Sequence, residues 1–375
     1  MCSDQGTGSV DIVRATREFE TWVSGHISVV RDQLTDKHGK MAQHPIQFLR
    51  GTFYRWAQIF PKVCPELDQT VRVLAVGDLH IASFGTWRDS FGRLVWGVDD
   101  FDEAYPLAYT NDLVRLAVSA VLDKVEGELT VGIGNVCDAV LEGYRDGLAE
   151  GGRPFVLEEG HKWLRGIALE CLDAPADFWR KIDGLPTTRN KIPADARKAL
   201  AALLPAPHLS YRVARRVAGI GSLGHPRYVA VADWQGGQIA LEAKAATPSA
   251  CLWARPGSSN GIHYQMILDR AVRCPDPWVR LCGNWLVRRL APDSSPIEIE
   301  SMSGQRDQDR LLHAMGWEVA NVHLGTARAG NRILNDLKER SAKWLRSAVK
   351  NMAKTTIDDW KEWKKARIGG KQRGI

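Results

Sequence analysis

The segment "AGIGSLGHPRY", residues 218–228, constrains the fold of this chain more than any other. Glycines stand in it with G-x-G-x-x-G spacing at Gly219, Gly221 and Gly224, between the β-type runs "LSYRVARRVA" and "RYVAVADW". Glycine lets backbone N–H groups approach phosphate oxygens without a side chain in the way. Since a strand follows the loop, a dinucleotide-binding unit, which needs a helix there, is disfavoured. The segment predicts a phosphate-binding loop within an antiparallel sheet.

The next β-type run, "QIALEAKAA", carries Lys244 and is separated from its neighbour by the hairpin signal "QGG". In a kinase-type sheet, the lysine that binds the nucleotide phosphates lies at this position. An exposed strand lysine is the alternative interpretation, but the neighbouring small and apolar residues argue against it. A helix at about 260–273 and strands around "WVRLCG" and "NWLVRRL" complete this region.

The rest of the chain has mainly helical spacing, at residues 10–35, 45–60, 109–205 and 305–366. The exceptions are two short β-type runs, "TVRVLAV" and "RLVWGV", each followed by acidic residues. Asp78 follows the first run, and Asp99 and Asp100 follow the second. Phosphoryl transfer needs such a pair of sites, one carboxylate to orient the attacking hydroxyl and another to hold magnesium. A plain turn and a solvated acidic loop remain the alternative for either stretch alone.

Composition bounds the class of protein. The chain has 375 residues, with 44% hydrophobic and 25% charged, as in ordinary soluble globular proteins of two lobes or domains. No window approaches the roughly 20 uninterrupted apolar residues that span a bilayer, and no signal-peptide pattern opens the chain. The seven cysteines are scattered, which favours reduced thiols over a disulfide frame or zinc site. We expect a cytoplasmic protein without a membrane partner.

Most of the net charge of +6 lies in the last sixteen residues, "WKEWKKARIGGKQRGI", which hold six Lys or Arg and one Glu. A basic tail with two tryptophans could contact phosphates or an acidic surface. We prefer the interpretation that it is a solvated, fraying helix end. A nucleic-acid partner is therefore not expected.

Five segments together resemble a bacterial family called domain of unknown function 2252. They are "KMAQHPIQFLRGTFYRW", "GDLHIASFG", "VDDFDEAYPLAYTNDLVRLAVS", "RVAGIGSLGHPRYVAV" and "EAKAATPSA". They occur in the family's order and cover most of the chain from about residue 40 to residue 330. The family is similar to the protein-kinase-like and aminoglycoside-phosphotransferase superfamily, with its halves exchanged.

The resemblance implies an α+β, two-lobed, protein-kinase-like fold that is circularly permuted, with a small antiparallel β lobe and a larger helical lobe. Residues 1–205 would form the helical part with the catalytic and metal loops, and residues 206–300 the β lobe. Residues 301–375 would complete the helical lobe and end in the basic tail. In this superfamily a long helix leads into the catalytic loop, so "LLHAMGWEVANVHLGTAR" would continue spatially into the loop at residue 77.

The resemblance also assigns roles at the site. Asp78 would be the catalytic aspartate, Asp100 would hold magnesium, and Lys244 would grip the phosphates of ATP. Asp112 would brace the catalytic loop from a helix start. The phosphates would be covered by the loop residues Gly219, Gly221, Ser222 and Gly224.

The sequence departs from the family pattern at two points. Ser83 stands where an asparagine ligand of magnesium is expected, so one metal position is weakened, or Asp102 or water fills it. No glutamate of the helix near residue 265 can pair with Lys244, and Glu242 on the same strand face is the substitute we expect. For His80 and Arg50, a role at the site and a purely structural role are both open.

These residues predict an ATP- and magnesium-dependent phosphotransferase that acts on a hydroxyl of a small molecule or natural product. The helical stretch 125–205 would shape the acceptor pocket. The alternative is a catalytically weakened nucleotide-binding pseudokinase or scaffold, with Ser83 as the mark of lost turnover.

Overall fold

The computed structural model describes residues 11–124, 132–158, 160–188, 192–256, 261–294 and 305–371. The helices are α1 (Ile12–Ser24), α2 (Arg31–Met41), α3 (Pro45–Gly51), α4 (Phe53–Val63), α5 (Pro65–Asp68), α6 (Tyr109–Lys124), α7 (Ile133–Ala149), α8 (Lys162–Cys171), α9 (Pro175–Asp183), α10 (Ala194–Ala201), α11 (Ala250–Ala254), α12 (Tyr264–Arg270), α13 (Gln305–His323), α14 (Ala329–Glu339) and α15 (Trp344–Lys371). The strands are β1 (Arg72–Ala75), β2 (Phe84–Arg88), β3 (Leu94–Val98), β4 (Tyr105–Ala108), β5 (Phe155–Val156), β6 (Arg212–Arg215), β7 (Arg227–Trp234), β8 (Gly237–Ala245), β9 (Arg280–Cys282) and β10 (Trp285–Leu290). The fold is mixed α+β with small antiparallel sheets.

The largest sheet within the described residues has the order β6-β7-β8-β10-β9, and its neighbouring strands are all antiparallel. The hairpin β7–β8 turns at Gln235 and Gly236, both with positive φ, which fits the "QGG" signal. The predicted strands of this region are confirmed. The glycine loop therefore lies between the first and second strands, and Lys244 lies on the third.

Two smaller antiparallel sheets of the described chain carry the acidic residues. β1 pairs with β4, while β2, β3 and β5 form the other sheet. β2 and β4 were not predicted, since β2 follows a short 3-10 turn (Ile81–Ser83) directly and β4 contains a proline. The hairpin of β2 and β3 joins the turn after β1 to the turn after β3. Both acidic turns consequently end up at the same edge.

Helices α6, α7 and α13 form the centre of the helical core. Glycine allows α7 and α13 to pack backbone against backbone, because a Cβ at Gly143 would collide with the carbonyl of His313. Gly316 meets the carbonyl of Val140 in the same way. Helix α6 contacts β1, and α13 contacts both β1 and β3, so these two helices can hold the turns that follow the strands.

Helices α9 and α10 pack against the largest sheet rather than in the helical core. Ala196 and Leu200 of α10 contact Leu241 and Ala243 in one apolar cluster, and α9 covers the other face near Val231. That second face is the one that carries Glu242 and Lys244, since side chains alternate along a strand. The end of this face beyond the reach of α9 is left open to the site described below.

The basic C-terminal segment continues as helix α15 as far as Lys371, and residues 372–375 lie outside the described part. Trp363 is buried, and its indole N–H donates to the carbonyl of His38 at 3.3 Å. The expectation of a solvated, fraying end is therefore wrong for Trp363. Among the described residues, no helix is both long and apolar enough to cross a membrane.

Candidate functional site

A cavity of about 290 Å³ lies between the largest sheet, the two acidic turns and helices α1 and α2. Its volume is at the lower end of the range typical of small-molecule sites. Ser83, Asp112 and Glu242 do not line it, whereas ten other residues predicted for the site from the sequence do: Arg50, Asp78, His80, Asp100, Asp102, Gly219, Gly221, Ser222, Gly224 and Lys244. Residues distant in sequence thus face one another across a single crevice.

Asp78 is placed by a braced turn after β1. Gly77 has φ +83°, and a Cβ there would collide with the carbonyl of Glu103, so only glycine fits. Asp112 in the first turn of α6 accepts hydrogen bonds from the backbone N–H of Val76 at 2.7 Å and of Gly77 at 3.0 Å. The bracing role predicted for Asp112 is confirmed by these contacts.

The ion pair with Arg115 fixes the carboxylate of Asp78. The Arg115 guanidinium is fully buried and lies over the rings of Phe53 and Trp56, 5.0 and 4.9 Å from their centroids. Burial raises the pKa of Asp78, with a further contribution from Asp100, while Arg115 opposes the rise. Asp78 is therefore a more basic carboxylate than an exposed aspartate would be.

The acidic turn after β3 presents four carboxylates with different environments. Asp100 is exposed, and its Oδ1 accepts from the backbone N–H of Asp102 at 3.2 Å. Burial raises the pKa of Asp99 to about 6 and that of Glu103 to about 8. Glu103 Oε2 accepts from the backbone N–H of Ala250 at 2.7 Å, which ties the turn to α11. Asp100 is left as the carboxylate of this turn with the most access to solvent and ligand.

Lys244 forms an ion pair with Asp102. The expectation that Glu242 pairs with Lys244 is wrong, because Glu242 is fully buried among three arginines. Gln265, on the helix next to the sheet, instead donates to Asp269 at 2.8 Å. The partner of the lysine therefore comes from the acidic turn and not from helix α12.

The glycine loop lies directly over Asp78. A Cβ at Gly221 would be 3.5 Å from Asp78 Oδ2 and 3.3 Å from the carbonyl of Arg50, so the loop approaches both closely. Gly219 and Gly224 have φ of +68° and +99°, values that favour glycine. The amide of Gly224 donates to Gln33 at 3.2 Å and is already occupied. Gly224 thus serves the packing of the loop on α2, where Leu34 would meet a Cβ.

Ser83 has mainly structural contacts, whereas His80 lines the cavity. The hydroxyl of Ser83 accepts from the N–H of His80 at 3.1 Å and donates to the carbonyl of Asp78 at 3.4 Å, so it supports the turn and does not line the cavity. His80 lines the cavity, and burial together with Arg50 and Arg115 lowers its pKa well below the ordinary value. A neutral imidazole therefore stands beside Asp78.

A family model described as an uncharacterized protein conserved in bacteria, domain of unknown function 2252 (DUF2252), matches residues 30–162 and 180–366. The chain belongs to the DUF2252 family. A search of curated proteins and a search of solved structures found no match. The DUF2252 match includes α2, both acidic turns, the glycine loop and Lys244. The cavity is thus built almost entirely from the family's own region.

Helices α1 and α2 form a wall of this DUF2252 cavity that the sequence did not predict. They contribute Phe19, Glu20, Leu34 and Lys37, whereas no described residue of the stretch 125–205 lines the cavity. The expectation that the stretch 125–205 shapes the pocket is therefore wrong. Those helices pack in the helical core or on the sheet instead. A lysine in the polar helix α2 gives no sequence signal that it is buried.

Lys37 holds the glycine loop from this wall. Its side chain is 7% exposed, and its Nζ donates to the carbonyl of Gly221 at 2.8 Å. The backbone N–H of Val30 also donates to the carbonyl of Gly224, at 2.8 Å. Burial lowers the pKa of Lys37, against the attraction of Glu20 and Asp78. The loop is therefore fixed by contacts outside its own sheet.

Replacing Lys37 by methionine should loosen the glycine loop. A hydrogen bond from a charged donor contributes about 1.5–3 kcal/mol, so amides of residues 219–225 should exchange with solvent about tenfold faster or more. Hydrogen exchange measured by mass spectrometry tests this. Lys40→Met is the matched control, since Lys40 is exposed on the same helix. Equal protection of the loop in both variants would show that Lys37 does not fix it.

Among the described residues, no three His, Cys, Asp or Glu side chains form a ready-made metal cluster. Magnesium does not require one, because it is commonly held by one or two carboxylates together with substrate phosphates and water. The exposed carboxylate of Asp100 fits that donor set, and Asp102 is already paired with Lys244. Ser83 does not fit it, as its hydroxyl is engaged in the turn.

Proposed function

We propose that this protein is an ATP-dependent, kinase-like phosphotransferase with circularly permuted halves, which acts on a hydroxyl group of a small molecule. One observation carries the proposal: Asp78, Asp100, Lys244 and the glycine loop line the same cavity. These are the residue types that phosphoryl transfer needs, at positions contributed by two separate parts of the chain.

The order of elements within each part supports a kinase-like fold. The glycine loop lies between the first two strands of an antiparallel sheet, and the lysine lies on the third, as in protein kinases. In the other part, the turn at Asp78 is followed by a β-hairpin and then by the turn of Asp99 and Asp100, so the catalytic and metal carboxylates converge. Each half retains the kinase order internally.

The proposed permutation is supported by contacts at the end of helix α13. His323 Nε2 lies 3.1 Å from Asp112 Oδ2, and Asp112 braces the turn before Asp78. Thr326 accepts at its Oγ1 from the backbone N–H of Leu74 at 2.8 Å. The helix that follows the sheet in the chain therefore ends beside β1. In a chain with the ordinary kinase order, helix α13 would lead directly into strand β1.

The residues of the chain have separate tasks in the proposed reaction. Asp78 orients the acceptor hydroxyl and takes its proton, for which a raised pKa is favourable. Lys244 and backbone amides of the glycine loop stabilise negative charge on the phosphates. A magnesium ion, when bound at Asp100, would supply further neutralisation of that charge. Arg115 keeps Asp78 oriented through the buried ion pair.

Two measurements on the intact protein test this proposal. Thermal unfolding with and without ATP and magnesium reports nucleotide binding, because a ligand that binds the folded state raises the midpoint. Release of ADP in the presence of a panel of hydroxyl compounds reports turnover. Stabilisation together with acceptor-dependent ADP release is the expected result. A chain that ATP and magnesium neither stabilise nor engage in turnover would refute the proposal.

The second candidate is a catalytically weakened nucleotide-binding protein, and the placement of Ser83 favours it. An asparagine amide at this position would be long enough to reach a metal, whereas the serine hydroxyl is bound within the turn. Under the phosphotransferase hypothesis, turnover proceeds with Ser83 in place. Nucleotide binding without turnover would instead favour the weakened protein.

Ser83→Asn separates the two candidates further. If one metal position has been lost, the asparagine should restore magnesium-dependent turnover by about tenfold or more, since metal charge contributes several kcal/mol to such transition states. ADP release at varied magnesium concentration measures the change. Ser83→Ala is the control for loss of the turn hydrogen bonds. An active wild type that Ser83→Asn does not improve would show that no second metal position is missing.

A further inference from the structure

Three arginines on the sheet wall of the cavity converge on one buried carboxylate. Glu242 is fully buried, and it accepts from Arg227 at 2.7 Å, from Arg216 at 2.8 Å and from Arg288 at 3.1 Å. The three arginines line the cavity, while Glu242 lies beneath them. One carboxylate for three guanidinium groups leaves positive charge in excess at this wall.

Two of the three guanidinium groups face open space. The side chains of Arg216 and Arg288 are 29% and 30% exposed, against 5% for Arg227. Arg227 uses a second nitrogen on Ser222 Oγ, at 2.5 Å, and so also supports the glycine loop. Arg216 and Arg288 each bond Glu242 through one nitrogen, so further N–H groups point away from it. Asp99 and Asp100 also attract Arg288 electrostatically, whereas Arg216 has Glu242 as its ion-pair partner within the described chain.

A purely structural role explains this cluster poorly. On the same sheet face, Val229, Val231, Ala240 and Leu290 form an apolar surface that α9 covers. Apolar residues are usually at least as stabilising as a buried ion cluster, because charges lose hydration on burial. Among the described residues of this face, the buried charged side chains are Arg227, Glu242 and Lys244, and they lie at the end that faces the cavity, which points to a ligand.

The cluster lies next to Lys244 along the strand. Glu242 and Lys244 are two residues apart on β8, and Arg288 is paired opposite Glu242 on β10. Two residues on one strand face are separated by about 7 Å. A chain of linked phosphates can extend from Lys244 towards Arg216 and Arg288. Guanidinium groups bind phosphate through paired N–H donors, which a lysine cannot offer.

We infer that Arg216 and Arg288, oriented by Glu242, form a second anion subsite that binds a phosphate group at the sheet wall. The inference rests on the proposed function for the identity of the cavity's ligand as a phosphate compound. That phosphate belongs either to the nucleotide or to a phosphorylated acceptor. Because of this subsite, the cavity is specific for substrates whose phosphate groups carry more negative charge than Lys244 alone can neutralise.

Calorimetric titrations of the full chain test the subsite without turnover. Inorganic tripolyphosphate, ATP with magnesium, and adenosine are titrated into the wild type, Arg216→Gln and Arg288→Gln. Both variants should bind tripolyphosphate about tenfold more weakly or worse, since each loses charged hydrogen bonds to the anion. Matched controls are Arg215→Gln and Arg289→Gln, neighbouring positions that do not line the cavity. These should bind as the wild type does.

Two arms distinguish the source of the phosphate. If it belongs to the nucleotide, affinity for ATP falls in parallel with that for tripolyphosphate, and affinity for adenosine is unchanged. If it belongs to the acceptor, ATP binds normally, while inorganic phosphate binds more weakly to the variants in the presence of a saturating non-hydrolysable ATP analogue. Wild-type affinity of the variants for all these anions would overturn the inference.

Failure of the proposed function would look different. A wild type that binds tripolyphosphate through Arg216 but transfers no phosphate would leave the subsite standing and remove the phosphotransferase. Arg216→Gln is expected to fold, because its side chain is partly exposed at the end of an edge strand. If Arg288→Gln does not fold, the comparison of Arg216→Gln with Arg215→Gln decides alone. A wild type without affinity for tripolyphosphate or phosphate would also refute the subsite.

Discussion

Replacing Asp100 by alanine is expected to abolish magnesium-dependent nucleotide binding or turnover while leaving the fold intact. Asp100 is exposed, and its structural contact is a hydrogen bond from the backbone N–H of Asp102. Loss of this side chain should therefore have little effect on the free energy of unfolding. In the proposed reaction, Asp100 holds the metal that neutralises phosphate charge, an effect of several kcal/mol. Turnover should fall by a factor of about a hundred or more.

The measurements are ATP affinity with and without magnesium, ADP release, and the midpoint of thermal unfolding. Asp233→Ala is the matched control, because Asp233 is an exposed aspartate on β7 that does not line the cavity. Magnesium should strengthen ATP binding in the wild type and in Asp233→Ala, and it should have no such effect in Asp100→Ala. Unchanged affinity and turnover in Asp100→Ala would remove Asp100 from the site.

Local sequence patterns predicted the strands of the largest sheet, the glycine loop and the two acidic turns, whereas the meeting of these parts in one cavity was implied by the family resemblance. Alternation of apolar and polar residues predicted the positions of β7 and β8, and the glycine spacing predicted the loop between β6 and β7. The two acidic turns were predicted because each of two β-type runs is followed directly by acidic residues. These signals are contained within a few residues of chain, and tertiary packing had no cause to override them.

The α1–α2 wall of the cavity could not be predicted in the same way. That wall depends on which helices cover the glycine loop, and amphipathic spacing shows that a helix has an apolar face without showing what the face covers. Lys37 illustrates the difficulty, since its burial results from contact with Gly221, which is 184 residues away in the chain. The helical spacing of residues 125–205 likewise gives no indication that these helices pack away from the cavity.

The partner of Lys244 was missed for a related reason. Glu242 was visible as an acidic residue in an apolar run, and its position on the same strand face suggested a pair with Lys244. The sequence did not reveal that Arg216, Arg227 and Arg288 from three other segments converge on the same carboxylate. Side-chain pairing across strands depends on register, which a single run does not specify.

Replacing Glu242 by glutamine should lower the free energy of unfolding by about 3–5 kcal/mol, because the loss of one partner leaves buried charge uncompensated. Three guanidinium groups would remain close together without a neutralising carboxylate. Urea unfolding at neutral pH measures the difference. Glu170→Gln is the control, since Glu170 is exposed on α8. A midpoint for Glu242→Gln equal to that of the wild type would show that the cluster contributes nothing to stability.

The pH dependence supplies an independent check on the same carboxylate. Burial alone would raise the pKa of Glu242, but Arg227, Arg288 and Arg216 depress it well below the ordinary value of 4.5. A depressed pKa means that the stabilisation is complete above the pKa of the unfolded chain and is lost as the pH falls through the folded value. The difference in unfolding free energy between wild type and Glu242→Gln should therefore be constant from pH 7 to about 5 and shrink at lower pH. A difference that persists unchanged well below pH 4 would mean that repacking around the glutamine, and not the lost charge, causes the destabilisation.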